Sequence, residues 1–216
     1  CDHAMQALAA GLHVLVEKPF AQTRAEALQM TEAAVAAGRV IAVNHNFLAL
    51  PGYQRLKQAL ADGVPGKIDS VDIRWRFPLA PLRSGPFGLW MLRSEQNLLL
   101  ELGPHLFAFA TDLCGPLDGL DLRQSKPIDL PGGVSQHQVW TMRGKAGDVD
   151  VTLHLSLVEG AEDRSVELRG VNAVARLDYG ADVLTITRPN ASDIVINPLR
   201  AELAQAAGHL VEGLRN

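Results

Sequence analysis

The stretch Gly11–Pro19, with the sequence GLHVLVEKP, places a short apolar segment directly before a charged pair. Its glycine stands where a preceding helix would end. The continuous apolar character predicts a strand over residues 13–17 that is covered on both faces of a parallel sheet. Glu17 and Lys18 would then lie at the carboxyl end of this strand, where open α/β sheets bind ligands.

The residues on either side extend this strand into an alternation of helices and strands. Thr23 is a suitable first cap of a second helix that runs to about residue 37, and Glu26 completes a capping box. Residues 41–43 follow as another apolar strand. This order predicts an α/β region, the second half of a Rossmann-type parallel sheet, which we assign to residues 1–46.

The chain from residue 47 onward has a different pattern. Residues 70–77 and 149–157 alternate apolar and polar side chains, which is typical of half-buried antiparallel strands. Further elements are predicted as strands near 134–142, 164–169, 173–178 and 182–188, and as amphipathic helices over 53–62 and 199–214. We therefore predict that residues 47–216 form an α+β domain with a large, mostly antiparallel sheet.

A helix predicted over residues 95–113 carries a second pair of reactive side chains. Glu101 and His105 are four residues apart, so they share one face of a helix. A carboxylate beside an imidazole raises the pKa of the ring and orients it. Pro104 has no N–H to donate to the carbonyl of Leu100, which predicts a kink or the start of a new helix.

Composition and charge argue against several classes of function. The formal net charge is -4, and the 20 Lys and Arg form no basic stripe, so neither nucleic acid nor membrane is an expected partner. Cys1 and Cys114 stand far apart, which indicates no disulfide framework and favours a cytoplasmic protein. The seven histidines lack ligand spacing, so we predict no metal site.

Each candidate motif also has a plain structural interpretation. Lysine and proline after a strand are commonly a solvated charge at a turn. A glutamate and a histidine at helical spacing are commonly a surface pair, although the leucines around Glu101 favour a partly buried helix where a lone charge is costly. The residues alone leave both interpretations open.

Taken together, the two motifs resemble those of the Gfo/Idh/MocA oxidoreductases. Residues 7–19 resemble the Glu-Lys-Pro segment of that family, and residues 99–105 resemble its Asp-x-Gly-x-His helix. The motifs stand in the family's order, with Asn46 and residues 66–68 as weaker landmarks between them. The resemblance covers nearly the whole chain.

The resemblance implies hydride transfer between NAD or NADP and a hydroxyl-bearing carbon of a sugar, cyclitol or similar polyol. His105 would be the general base, Lys18 would bind substrate and cofactor ribose, and Glu101 would hold or relay the proton of His105. Glu17 and Pro19 would contact the cofactor together with Lys18.

Further contacts are implied in the same way. Asn46 and Arg93, with His105, are the expected substrate ligands, and the broad sheet face is expected to support a homo-oligomer. Four departures from the family pattern leave a changed substrate or a weakened relative open: Glu101 in place of its Asp, residues 95–97 in place of its glycine run, Pro104 in place of a small residue and Ala108 in place of a frequent acid.

The sequence contains no G-x-G-x-x-G, the phosphate-binding loop that opens a dinucleotide-binding domain. We therefore expect a fragment, preceded by about two β-α units and followed by a further helix, that binds NAD(P) weakly or not at all by itself. The alternative is a non-catalytic protein that uses the same substrate domain for binding or for association through its sheet.

Overall fold

A computed structural model describes residues 1–158, 160–189 and 196–215, with the side chains of 196–201 and 215 outside the description. The first part of the chain folds as helix, strand, helix and strand: α1 (Asp2–Ala9), β1 (Val14–Glu17), α2 (Arg24–Ala36) and β2 (Ile41–Asn44). The two strands pair in parallel, with Glu17 opposite Asn44, so their carboxyl ends lie at one edge. The predicted β-α-β alternation is confirmed.

Local hydrogen bonds explain where α2 begins. The Oγ1 atom of Thr23 accepts a hydrogen bond from the backbone N–H of Glu26 at 3.2 Å. The Glu26 carboxylate in turn accepts one from the Thr23 N–H at 3.2 Å, which completes the predicted capping box. Gly11 ends the preceding helix with a φ of 75°, a conformation that favours glycine.

The prediction that the first strand is covered on both faces is wrong for the described residues. Alternate side chains of β1 are exposed, and Leu15 retains 70% of its accessible surface. The reason is that β1 and β2 form a two-stranded sheet in the described part of the chain, and helices α1 and α2 contact it.

After β2, the described residues form four further α-helices, nine further strands and two short 3-10 helices. The further helices are α3 (Pro51–Ala61), α4 (Ala80–Ser84), α5 (Asn97–Cys114) and α6 (Ile196–Arg215). The further strands are β3 (Ile68–Arg76), β4 (Asp118–Gln124), β5 (Ile128–Leu130), β6 (Val134–Gln136), β7 (Val139–Ala146), β8 (Val149–Ser156), β9 (Asp163–Gly170), β10 (Val174–Asp178) and β11 (Val183–Thr187).

Seven of these strands form one sheet in the order β11-β10-β9-β3-β8-β7-β4. Its neighbouring strands run antiparallel except β3 and β8, which are parallel, so the expectation of a mostly antiparallel sheet is confirmed. Helix α5 packs across β3 and β8, and α3 packs against β10 and β11. Side chains such as Ile73, Leu153 and Phe109 are completely buried between these layers.

Four details differ from the predictions. The helix predicted near residues 95–113 continues through Pro104 as one element, because burial of Leu98, Leu106 and Phe109 stabilises it across the missing hydrogen bond. The strand predicted over 134–142 is divided between β6 and β7, and β4 and β5 were not predicted. Strand β3 is antiparallel only to β9. Finally, the helix predicted as amphipathic over 199–214 exposes three of its leucines, Leu203, Leu210 and Leu214. The side chain of Leu199 lies outside the described residues.

Candidate active site

Lys18 and Glu101, the two charged residues of the sequence motifs, meet in the structure. Lys18 follows β1 directly, and its Nζ atom forms an ion pair with the Glu101 carboxylate on α5. The same Nζ donates to the Glu101 backbone carbonyl at 3.1 Å. Only 17% of the Lys18 side chain and 24% of the Glu101 side chain are exposed. The pair therefore joins the edge of the small sheet to the helix that packs on the large one. The peptide bond between Lys18 and Pro19 is cis.

His105 lies one helical turn after Glu101 and is 7% exposed. Its ring stacks on Trp75 at a centroid distance of 5.6 Å and meets the edge of Phe47 at 4.8 Å. The Nδ1 atom is fully buried and has no hydrogen-bond partner among the described residues. The Nε2 atom is not among the fully buried atoms that lack a partner.

The pKa of His105 is lowered to about 4, chiefly by burial and further by the positive charge of Lys18 and by His45. The prediction that Glu101 raises the pKa of this ring is therefore wrong. Its carboxylate is held by Lys18, and no hydrogen bond joins it to His105 in the described part of the chain. Because the imidazole is neutral at physiological pH, it can accept a proton.

Glu17 lies next to this pair in sequence but has a different partner. Its side chain is exposed, and its Oε1 atom accepts a hydrogen bond from Asn44 Nδ2 at 2.7 Å across the parallel strands. Asn44 was not singled out from the sequence. The contact fixes the ends of β1 and β2 relative to each other, which also positions the residues that follow each strand.

The structure does not bring the two expected substrate ligands into contact with the pair. Asn46 is exposed and begins a 3-10 turn. Arg93 is exposed, and its Nε atom donates to the carbonyl of Gly88 at 2.8 Å within its own loop. For the residues that the structure describes, no hydrogen bond or ion pair links Asn46 or Arg93 to Lys18, Glu101 or His105.

Two cavities flank the segment Pro19–Gln22. One, of about 340 Å³, is lined by residues that include Val16, Trp90 and Glu101. The other, of about 450 Å³, is lined by His45 and by the α5 residues Leu100, Pro104, Phe107, Ala108 and Thr111.

Sequence reasoning missed Trp90 and His45 as candidate site residues. A signal for His45 was present, because it follows β2 as Lys18 follows β1 and the two strands are in register.

The described residues hold neither a candidate metal site nor a candidate membrane span. Three or more His, Cys, Asp or Glu side chains do not come together as a possible metal site anywhere in this part of the chain. Within the same residues, no helix has both the length and the apolarity that a bilayer-spanning segment needs.

Comparison with known proteins gives matches at the levels of family, sequence and fold. Residues 1–45 match the family model GFO_IDH_MocA, described as an oxidoreductase family with an NAD-binding Rossmann fold. The uncharacterized oxidoreductase YdgJ of Escherichia coli is 34% identical over 57% of this chain and 36% of its own length. The 1,5-anhydro-D-fructose reductase of Ensifer adhaerens is 36% identical over 48% of this chain and 31% of its own length.

A solved structure of levoglucosan dehydrogenase, in complex with NADH and levoglucosan, shares the fold. It superposes with a TM-score of 0.78 and 21% identity over 90% of this chain and 55% of that one. The matched stretch thus spans about a third of these two curated relatives and about half of this solved chain. Together these matches show that residues 1–45 are similar in sequence to the Gfo/Idh/MocA oxidoreductases and that 90% of the chain shares the fold of a solved dehydrogenase.

Proposed function

We propose that this chain supplies the catalytic and substrate-binding part of an NAD- or NADP-dependent oxidoreductase that acts on a hydroxyl-bearing carbon of a sugar or similar polyol. The observation that carries the proposal is the meeting of Lys18 with Glu101 beside a neutral, buried His105. The similarity to a sugar reductase supports the substrate class. Residues 1–46 would belong to the dinucleotide-binding domain and residues 47–216 to the substrate domain, a division that the family match over 1–45 supports.

The residues present fit the nicotinamide end of the cofactor. The cavity of about 340 Å³ beside Pro19 has an apolar wall in Val16 and Trp90, and the Lys18–Glu101 pair stands next to it. The capping box at the start of α2 engages the N–H groups of Thr23 and Glu26. Lys18 and Pro19 would therefore hold the nicotinamide and its ribose. When bound, the nicotinamide accepts or returns a hydride.

The chemistry follows from the charges of the site. As the alcohol carbon loses its hydrogen with both electrons, the O–H bond breaks and its proton moves to Nε2 of His105, leaving a carbonyl. Lys18 lies where its positive charge would stabilise the alkoxide that develops on the same oxygen. Glu101 holds the Lys18 amine in place by the ion pair and by its backbone carbonyl. This role differs from the proton relay implied by the family resemblance.

Replacement of His105 by glutamine in the intact protein tests the proposal. The test is dinucleotide-dependent oxidation of a panel of sugars and polyols, followed by the absorbance of the reduced nicotinamide. Removal of the base is expected to lower kcat/KM by about 10²- to 10⁴-fold. His209→Gln, an exposed histidine on α6, is the matched control and should retain activity. Full activity of His105→Gln would contradict the base assignment, and an intact protein that binds neither dinucleotide would favour the non-catalytic alternative.

We also propose that a second copy of the chain covers the face of the large sheet opposite α5. Charged side chains alternate there with the core residues, and several are only partly exposed and paired with one another, as Arg176 is with Asp163 and Glu167. Static light scattering at increasing protein concentration tests this assembly. A dimer or larger oligomer that is weakened by Arg176→Glu is the expected result, and a monomer at all concentrations would contradict it.

The free thiols Cys1 and Cys114 are compatible with the proposed cytoplasmic location.

A further inference from the structure

Gln136 is a buried polar side chain that the proposed chemistry does not use. It lies on β6, and its exposed fraction is 0%. Its Nε2 atom donates to the carbonyl of Ser94 at 2.7 Å and to the carbonyl of Leu92 at 3.2 Å. Because an amide nitrogen carries two hydrogens, both donors are used, and both go to the loop between α4 and α5.

The other end of the same amide is less well satisfied. The Oε1 atom of Gln136 is fully buried and has no hydrogen-bond partner among the described residues. A buried acceptor without a partner is costly, and an apolar side chain of similar size would avoid that cost. What the glutamine offers in return is its pair of donors to the loop.

The loop that Gln136 holds carries Trp90. Residues Trp90–Leu92 form a short 3-10 helix, and Leu92 is buried in the core with 1% of its surface exposed. The carbonyl of Trp90 also accepts a hydrogen bond, at 2.7 Å, from Nδ2 of Asn97 at the start of α5. Side-chain amides from β6 and from α5 thus hold the carbonyls of three alternate residues of this loop.

Trp90 connects the loop to the candidate site. It lines the cavity of about 340 Å³ together with Pro19 and Glu101. The loop residues Gly88 and Arg93 on either side of it are exposed, so the loop relies on its anchored carbonyls to keep its place. An indole that is held there gives the cavity a rigid, largely apolar wall, which suits a planar ring such as a nicotinamide.

We propose that Gln136 is a positioning residue of the candidate site: by holding the carbonyls of Leu92 and Ser94, it keeps Trp90 in place as a wall of the cavity beside Pro19. The contribution to dinucleotide binding rests on the proposed function, whereas the effect on Trp90 does not. The two can therefore fail separately.

Replacement of Gln136 by glutamate in the intact protein tests the effect on Trp90. The two side chains have nearly the same shape, but a carboxylate presents oxygens, in place of donors, to the two carbonyls. Labelling with fluorotryptophan gives a fluorine NMR resonance for each of the three tryptophans, and Trp90→Phe identifies the resonance of Trp90. In Gln136→Glu this resonance should move and become more sensitive to exchange of water for deuterium oxide, whereas that of Trp75 should not.

A second variant and a matched control accompany this measurement. Gln136→Leu removes both donors without adding a charge, so it keeps the test decisive if the glutamate variant does not fold, and it should also move the Trp90 resonance. Gln124→Glu makes the same replacement at an exposed position of β4 and should leave the resonance unchanged. An unchanged Trp90 resonance in the folded Gln136 variants would overturn the proposal.

The affinity for the reduced dinucleotide, measured by nicotinamide fluorescence, is the second readout. The Gln136 variants should weaken it by about 10-fold, while the KM for the sugar or polyol changes by less than about twofold. Leu153→Ala weakens the core but leaves the hydrogen bonds of the loop in place, so it should not change this affinity. A general loss of stability would act alike in both kinds of variant.

The remaining outcomes separate this inference from the proposed function. Unchanged dinucleotide affinity in a Gln136 variant whose Trp90 resonance has moved would overturn the link between the loop and the cofactor. A wild-type protein that binds neither dinucleotide, but whose Trp90 resonance moves in Gln136→Glu, would refute the proposed function and support the positioning of Trp90 by Gln136.

Discussion

The two sheets of the molecule differ in how completely they are buried. In the seven-stranded sheet, Leu153 and Leu155 of β8 are completely buried beneath α5. In the two-stranded sheet, Leu15 of β1 is 70% exposed. Yet the small sheet supplies Lys18 and His45 to the candidate site. The difference shows that the two sheets have different roles. The large sheet contributes most of the buried apolar core that stabilises the fold, whereas the edge of the small sheet contributes charged and titratable side chains to the candidate site.

A pair of leucine substitutions would sharpen this comparison most strongly. Leu153→Ala should lower the free energy of unfolding by about 3 kcal/mol, because it leaves a cavity in a packed core. Leu15→Ala should change it by no more than about 0.5 kcal/mol, because an exposed side chain loses little on truncation. Urea unfolding of both variants and of the wild type measures the difference.

These two variants are matched in chemistry and in strand context, so each serves as the control for the other. A cost for Leu15→Ala as large as that for Leu153→Ala would break the comparison. It would mean that the exposed face of β1 is covered in the protein in solution.

Regular periodicity made much of this architecture predictable. The alternation of apolar and polar residues in β3 and β8 predicted which face of the sheet is buried. Thr23 and Glu26 predicted where α2 begins. Both features depend on residues that are close in sequence. The parallel pairing of β3 with β8 was not predictable in this way. It brings together residues about 80 positions apart, such as Ile73 and Leu153, and no local pattern encodes it.

The candidate site was predictable in its members but not in its contacts. The helical spacing predicted that Glu101 would contact His105. In the structure, Glu101 instead forms an ion pair with Lys18, which is 83 residues away in sequence. The dehydration of His105 comes from Phe47 and Trp75, which belong to two other elements. A sequence can show which side chains carry charge, but the partner of each charge and the dielectric around it are set by tertiary packing.

The dependence of stability on pH tests whether the dehydrated core of the large sheet extends to the site. The pKa of His105 is about 4 in the folded protein, below the ordinary value of 6.5. Above about pH 6.5 neither state binds this proton, so the stability is complete. As the pH falls toward about 4, the unfolded chain takes up a proton that the folded protein does not, and the stability declines.

Between about pH 7 and about pH 5 this single group should cost about 2 kcal/mol of unfolding free energy. His45 and His154 act in the same direction, since burial lowers the pKa of both, so the wild type alone does not isolate His105. The difference between wild type and His105→Gln does, because only the wild type has the titrating ring in that position. Urea unfolding at the two pH values should therefore show a loss smaller by about 2 kcal/mol in His105→Gln. If the wild type and His105→Gln lost the same unfolding free energy between the two pH values, water would have to reach His105 in the folded protein. The site would then be less dehydrated than the core of the large sheet.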